Sequence, residues 1–459
     1  MFLDQVILVS TVPSDSPNFS SPSNTYKHTP QNSRPQPKNT SSSSINAGSE
    51  SIGQIYQLEL GASETFGVKI TPFTYKDASI PTNCLTSFSS SSAFSNDANL
   101  LAYHPTLSAL FVYAAGKDRP VSRSFGHERL TAMHASPCGR FLLAGTESGC
   151  LVLWRIGSGD LISVIEAAHF QSLRVIRFSP DGQTVATGAS DALIKIWSWT
   201  DLCSSDPSKR PEPLFTFSQH SAPITDLVFS LTSIGYCRGR LLSASLDGKC
   251  NFYDLVDGQL LLNFNIPVAV SAVALNATET TVYAAGVDGN IYPLVLNGAV
   301  TTSTVPVPLQ FHKGPISCLQ WSLDERVLIS AGAEDGQVAF WDSQSHQLLK
   351  SVQLTSKKVG CTNVLVIGKS DPLYSSLESS SSSNTSSVQY TPFKRIGNPI
   401  TSLSVASPIV PIPLCTPKSD DSNSTENKEM IKELLKENEE LKSINSELIS
   451  ITCANELDN

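Results

Sequence analysis

SASLDGKCNFYDLVDGQLLL, residues 243–262, reads as a strand over 241–245, a tight Asp247-Gly248 turn and a second strand ending on Tyr253. A further Asp257-Gly258 turn leads into a third strand. Asp-Gly between alternating apolar residues is a strong hairpin signal, because the central turn residues must adopt positive φ. The same hairpin recurs. Asp191 lies six residues before Trp197, Asp247 six before Tyr253 and Asp335 six before Trp341, while Ser148 holds that place before Trp154. His127, His169, His220 and His312 precede these hairpins. A four-stranded unit repeating every ~40–50 residues is the signature of a β-propeller.

The histidine, hydroxyl, Asp and aromatic that recur among the repeats place the propeller in the WD type. Units are predicted over 127–168, 169–219, 220–265, 266–311 and 312–354, with an atypical unit over about 77–126. Unit five keeps Asp288-Gly289 but has Leu294 where an aromatic belongs, and unit six has Ala331 where a hydroxyl is expected. After unit six one strand-like run remains, CTNVLVIG (361–368), and the N-terminus offers two more, 4–10 and 53–60. A sheet with open edges invites aggregation. The reading is therefore an all-β, seven-bladed propeller over 53–369, closed by residues 1–10, with the last blade built from both ends of the domain.

Two segments break this pattern. Residues 11–52 are rich in Ser, Pro, Asn and Thr with almost no apolar content, and 370–427 is a second Ser/Pro-rich segment, with 375–387 close to a Ser homopolymer. Such composition cannot offset ordering entropy by burial, so both are expected to be disordered. They carry Ser/Thr-Pro dipeptides at Ser16, Thr29, Thr391, Ser407 and Thr416. Beyond them, 428–453 reads as a helix without Pro or Gly. Leu434, Leu441 and Leu448 fall at heptad position a, and Met430, Glu437, Ile444 and Ile451 at d. A stripe this short needs a partner to hold it.

Composition limits what the chain does. Net charge is −9 over 459 residues, which argues against a face evolved to hold phosphate backbones. Ten cysteines form no CxxC pair, so neither a zinc site nor a disulfide framework is implied. No apolar run reaches membrane-spanning length. The repeated residues His169, Thr187, Asp191 and Trp197, then His220, Ser243, Asp247 and Tyr253, then His312, Asp335 and Trp341, invite a catalytic reading. Repetition in several units favours a structural one: a buried hydrogen-bonded chain inside each blade. Lys369-Ser370 after Gly368 fails as a phosphate loop because Asn363 stands at its first glycine position. No catalytic residue, metal ligand or cofactor site is predicted.

FSQHSAPITDL, the hairpin above, VDGNIYPLVL and LKENEELKSINSEL together resemble the family of WD repeat-containing protein eighteen and its fungal counterpart, the WD-repeat Ipi subunit of the Rix complex. The resemblance covers roughly 127–370 and 430–455. It implies a non-enzymatic scaffold subunit in the nucleus, nucleolus and nucleoplasm, acting in large-ribosomal-subunit maturation and spacer-RNA processing. It further implies a helical-repeat scaffold subunit, a second helical-repeat protein, the midasin ATPase and the pre-ribosomal particle as partners. In that family the C-terminal helix pairs two propellers, which makes Met430, Leu434, Leu441, Ile444, Leu448 and Ile451 the expected dimer seam. Glu437 departs from an ideal seam. The rival reading is a substrate receptor of a ubiquitin ligase, but Trp341-Asp342 is followed by Ser343-Gln344 rather than by the Trp-Asp-x-Arg such receptors carry.

Overall fold

The structure, a computed structural model, describes residues 5–13, 54–61, 67–75, 80–89, 98–114, 117, 119–125, 128–203, 211–230, 239–296, 307–354, 359–368 and 392–394. The seam residues, His127, residues 14–52 and all of 370–427 except 392–394 lie outside these.

Seven four-stranded antiparallel sheets follow one another. Blades 1 to 6 occupy 85–125, 130–165, 173–217, 224–265, 270–310 and 316–353, each with its strands in chain order from the axis outward. The innermost strands, Leu85–Ser89, Leu130–Ala135, Leu173–Phe178, Ile224–Phe229, Val270–Leu275, Ile316–Trp321 and Val359–Gly368, each adjoin the next, and the last adjoins the first. The ring is closed.

Burial explains the strand sequences. The second strands FLLAGT (141–146), TVATGA (184–189) and RLLSAS (240–245) are buried on both faces apart from their first residue, so they read as continuous apolar and small runs. Small residues matter there. A Cβ on Gly188 would come within 2.7 Å of Ile224 Cγ2 in the next blade. The outermost strands, such as Gln259–Asn265, are mostly exposed. In the Asp247-Gly248 turn only Gly248 takes a positive φ, 78°, and Asp247 does not, contrary to the expectation for both; in blade 3 Ala192 adopts φ 64° in the corresponding turn.

The closing blade is ordered Val359–Gly368, Gln5–Pro13, Ile55–Gly61, Gly67–Tyr75 from the axis outward. Val9 pairs with Val364 on one side and Tyr56 on the other, and Ile7 with Val366 and Leu58. Ser10 Oγ meets Thr362 Oγ1 at 2.7 Å, and the Asn363 amide donates to Ser10 Oγ at 3.1 Å. Three N-terminal strands enter this sheet, not two. Gly67–Tyr75 carries Pro72, which an edge strand tolerates because its outer N–H groups need no ladder partner. The first strand also runs on to Pro13, so the first Ser/Pro-rich segment begins later than residue 11. The outermost strand of blade 1 is Ser122–Phe125. Among the described residues no helix is long and apolar enough to cross a membrane.

Candidate functional site

The repeated polar residues meet inside the blades. In blade 3, His169 Nδ1 lies 3.1 Å from Asp191 Oδ2, His169 Nε2 lies 2.8 Å from Thr187 Oγ1, and the Trp197 indole donates to Thr187 Oγ1 at 2.9 Å. The chain links the loop entering the blade, the second strand, the turn after it and the third strand. Asp191 also accepts the amides of Phe170 and Leu193. Burial works against ionisation of Asp191, but the bonds from His169 and these amides outweigh it and hold the carboxyl below the usual range. Asp335 follows the same logic with His312.

Blade 4 repeats the head of the chain and alters its foot. His220 binds Asp247 Oδ2 at 3.1 Å and Ser243 Oγ at 2.7 Å. Tyr253 instead accepts from Asn251 Nδ2 at 3.0 Å and donates to Gln219 Oε1 at 3.3 Å. Burial lowers the His220 pKa despite Asp247 beside it.

In blade 6 the hydroxyl is Ser330. It lies 2.9 Å from His312 Nε2 and accepts the Trp341 indole at 3.0 Å, while His312 Nδ1 lies 2.8 Å from Asp335. Ala331 is therefore no gap in the chain. The turn before Asp335 holds one more residue than its counterparts in blades 3 and 4, so counting back from Asp335 lands one position short. Ser330→Ala orphans a buried histidine nitrogen and an indole N–H. It is expected to cost about 1–3 kcal/mol in urea unfolding, whereas Ala333→Ser near the turn costs little.

Blades 2 and 5 depart further. Ser148 bonds only within its turn, to Thr146 Oγ1 at 2.8 Å, and the Trp154 indole donates to the carbonyl of Lys394 at 2.9 Å. In blade 5 Leu294 is buried, and Asp288 accepts the Tyr292 hydroxyl at 2.7 Å.

A second polar system, not singled out from the sequence, lines the axis. Arg177 of blade 3 donates to Asp226 Oδ1 of blade 4 at 3.1 Å and to Asn83 Oδ1 at 3.3 Å. Asp226 also accepts the Val273 amide of blade 5 at 3.3 Å. The Asn83 amide donates to Asn363 Oδ1 of the closing blade at 2.7 Å, and the Asn83 carbonyl accepts the Met133 amide of blade 2. Five blades and the segment entering blade 1 are joined through these groups. A signal existed: Arg177, like Arg174, interrupts the apolar strand LRVIRF, and Asp226 is the one charge in ITDLVF.

His134, also on an innermost strand, has its pKa pushed down to about 3, by burial first and by the Arg177 charge second. The folded value lies below the unfolded ~6.5, so the unfolded chain binds more protons between the two. Stability from a neutral His134 is complete above pH ~6.5 and lost as pH falls toward 3. His134→Gln is expected to flatten the fall in melting temperature between pH 6.5 and 4, measured beside the unaltered chain. Asp226, whose pKa is raised by burial, acts with opposite sign but equally in both chains.

None of this assembles a reactive centre. The nitrogens of His169, His220 and His312 are spent on blade partners. Burial pushes the Cys203 thiol up to about 12 and Cys318 to about 11, so neither supplies a thiolate near neutral pH. Among the described residues no group of three metal-ligating side chains occurs. What remains is surface. Phe170 is 82% exposed beside the His169–Asp191 chain, with Lys195 Nζ 5.8 Å from its ring centre and anchored to the Ala168 carbonyl at 2.6 Å. An exposed aromatic on a rigid support is the type of side chain that anchors protein interfaces.

The family model described as WD domain, G-beta repeat matches residues 119–155, 159–198, 211–254 and 304–342. The closing blade and the three inner strands of blades 1 and 5 fall outside these matches. WD repeat-containing protein 18 of Bos taurus is 32% identical over 233 residues, 49% of this chain and 52% of the relative. Protein ROOT INITIATION DEFECTIVE 3 of Arabidopsis thaliana is 28% identical over 274 residues, 59% of this chain and 61% of the relative. The pre-rRNA-processing protein crb3/ipi3 of Schizosaccharomyces pombe is 28% identical over 289 residues, covering 55% and 64%. The chain spans about half the length of the animal relatives it matches. The chain folds as a seven-bladed β-propeller, four stretches of which match the WD-repeat model, and it is similar in sequence to WD repeat-containing protein 18 and to the Ipi3 pre-rRNA-processing proteins.

Proposed function

We propose that this protein is a non-catalytic scaffold subunit of a nuclear complex that matures precursors of the large ribosomal subunit, with spacer-RNA processing and pre-ribosome remodelling as the steps served. The observation that carries the reading is its similarity to proteins named for pre-rRNA processing, over more than half of the chain. The chemistry of the blades supports it. Their buried histidines and carboxylates are committed to each other, which leaves exposed loops and side chains such as Phe170 to act by binding. On this reading the propeller meets a helical-repeat scaffold subunit and a further helical-repeat protein, and the complex engages midasin and the pre-ribosomal particle. The place of action is the nucleolus and nucleoplasm. Met430, Leu434, Leu441, Ile444, Leu448 and Ile451 form the seam of a homodimer, each buried apolar side chain contributing about 1.5–3 kcal/mol.

The test is a tagged pull-down of the full chain from nuclear extract at moderate salt, read by mass spectrometry and by a blot for spacer-containing pre-rRNA. Recovery of a helical-repeat scaffold, midasin and large-subunit precursors is the expected result. Recovery of a cullin adaptor without pre-ribosomal material would replace the reading with the ubiquitin-ligase receptor. Truncation near residue 425 is expected to halve the solution mass; an unchanged mass removes the seam.

A further inference from the structure

We propose that the slot between blades 1 and 2 is an intramolecular peptide-docking site whose occupant is Pro392-Phe393-Lys394, tying the second Ser/Pro-rich segment back onto the ring. The inference is independent of the ribosomal reading. Residues 392–394 belong to a stretch whose composition predicts no order, yet Phe393 is only 4% exposed and packs in the same apolar cluster as blades 1 and 2. Its ring meets that of Trp154 edge to face, centroids 6.1 Å apart.

The backbone is held from both blades. Ser124 Oγ, on the outermost strand of blade 1, donates to the Phe393 carbonyl at 2.9 Å. The Trp154 indole of blade 2 donates to the Lys394 carbonyl at 2.9 Å, and the Lys394 amide donates to the Gly159 carbonyl at 2.8 Å. Lys394 Nζ then lies 2.7 Å from Asp160 Oδ1, and Asp160 has a depressed pKa chiefly through this hydrogen bond. Each feature selects: an apolar slot for the aromatic ring, backbone partners for an extended segment, and a carboxylate for the cation that follows. The site thus recognises an aromatic residue followed by a basic one.

Trp154 marks how the slot arose. In blades 3 and 6 the corresponding indole donates inward to Thr187 or Ser330. In blade 2, where Ser148 replaces the turn Asp, it donates to the docked segment instead. Gly159 and Asp160 follow the third strand of blade 2, at the opposite end from the turn bearing Ser148. Docking therefore uses the face opposite Phe170 and leaves the Phe170 face open to other partners.

Hydrogen exchange on the full chain tests the proposal. Phe393→Ala is expected to speed exchange about tenfold at 122–125 and 151–161, the equivalent of losing one buried hydrogen bond, with blades 4 and 5 unchanged. A fluorescein-labelled peptide of residues 388–398 is expected to bind the Phe393→Ala chain and to be excluded from the unaltered one. Lys394→Glu, a surface change that sets two carboxylates against each other, is expected to reproduce the exchange pattern more weakly and guards against a folding defect in Phe393→Ala. Unchanged exchange in blades 1 and 2, or peptide binding to both chains alike or to neither, overturns the proposal. Protection at 122–125 that rises with protein concentration overturns it too, by assigning the slot to a second copy.

Discussion

A chain carrying Val9→Asp is expected to lose its cooperative melting transition and to elute as aggregate. Val9 is fully buried at the centre of the closing blade, paired with Val364 and Tyr56 and packed in a cluster that includes Leu58, Val327 and Phe340. Among the described residues no lysine or arginine is fully buried, so none lies inside that core to pair with a carboxylate. An unpaired buried charge costs at least several kcal/mol, against a total stability of about 5–15 for an ordinary domain. The loss reaches both ends of the ring, because the same strand joins Val359–Gly368 to Ile55–Gly61. Leu349→Asp is the control: Leu349 is 43% exposed on an outermost strand, and that variant is expected to melt like the unaltered chain. Circular dichroism and gel filtration decide the matter, and normal melting of Val9→Asp would falsify the essential role of the closure.

Arg177→Ala is expected to cost about 3 kcal/mol in denaturant unfolding, the lower end of the range for breaking a buried pair, because 27% of the arginine side chain reaches solvent. The cost arises less from the lost bond than from Asp226, left ionisable and buried beside apolar strands. Asp226→Val in the same chain is expected to recover about half of it, since Val175 already occupies the equivalent place in blade 3. Recovery stays partial because the Leu227 and Val273 amides lose their acceptor. A single variant as stable as its parent, or a double variant no better than the single, removes the pair from the forces that hold the ring.

How much of this was legible depends on whether a residue repeats. His169, Asp191 and Trp197 announce themselves because the same types return in later units, and a period gives blade number, turn position and the hydrogen-bonded chain together. Ser330 escaped the count because one extra turn residue shifts it against Asp335. Ser122–Phe125 escaped because an outermost strand buries little, so SRSF shows no apolar rhythm, and Gly67–Tyr75 escaped because Pro72 interrupts the alternation that Val68 and Ile70 begin. The axial groups are legible only as isolated oddities, since Asn83 and Arg177 are 94 residues apart and nothing local says they meet. Phe393 is the extreme case. The aromatics of its segment, Tyr374, Tyr390 and Phe393, have no period, and the slot that receives Phe393 is made by two blades far upstream.

The order of strands in the closing blade also sets a timetable. The three strands nearest the N-terminus leave the ribosome first, but their innermost neighbour, Val359–Gly368, is made last. At ordinary translation speeds the roughly 280 residues between Tyr75 and Val359 take on the order of 15–60 s to synthesise. Throughout that interval the nascent chain carries a strand edge with Ile7 and Val9 and no partner for it. The ring is sealed only when the last strand is released, which makes those seconds the window in which a newborn chain most needs a chaperone.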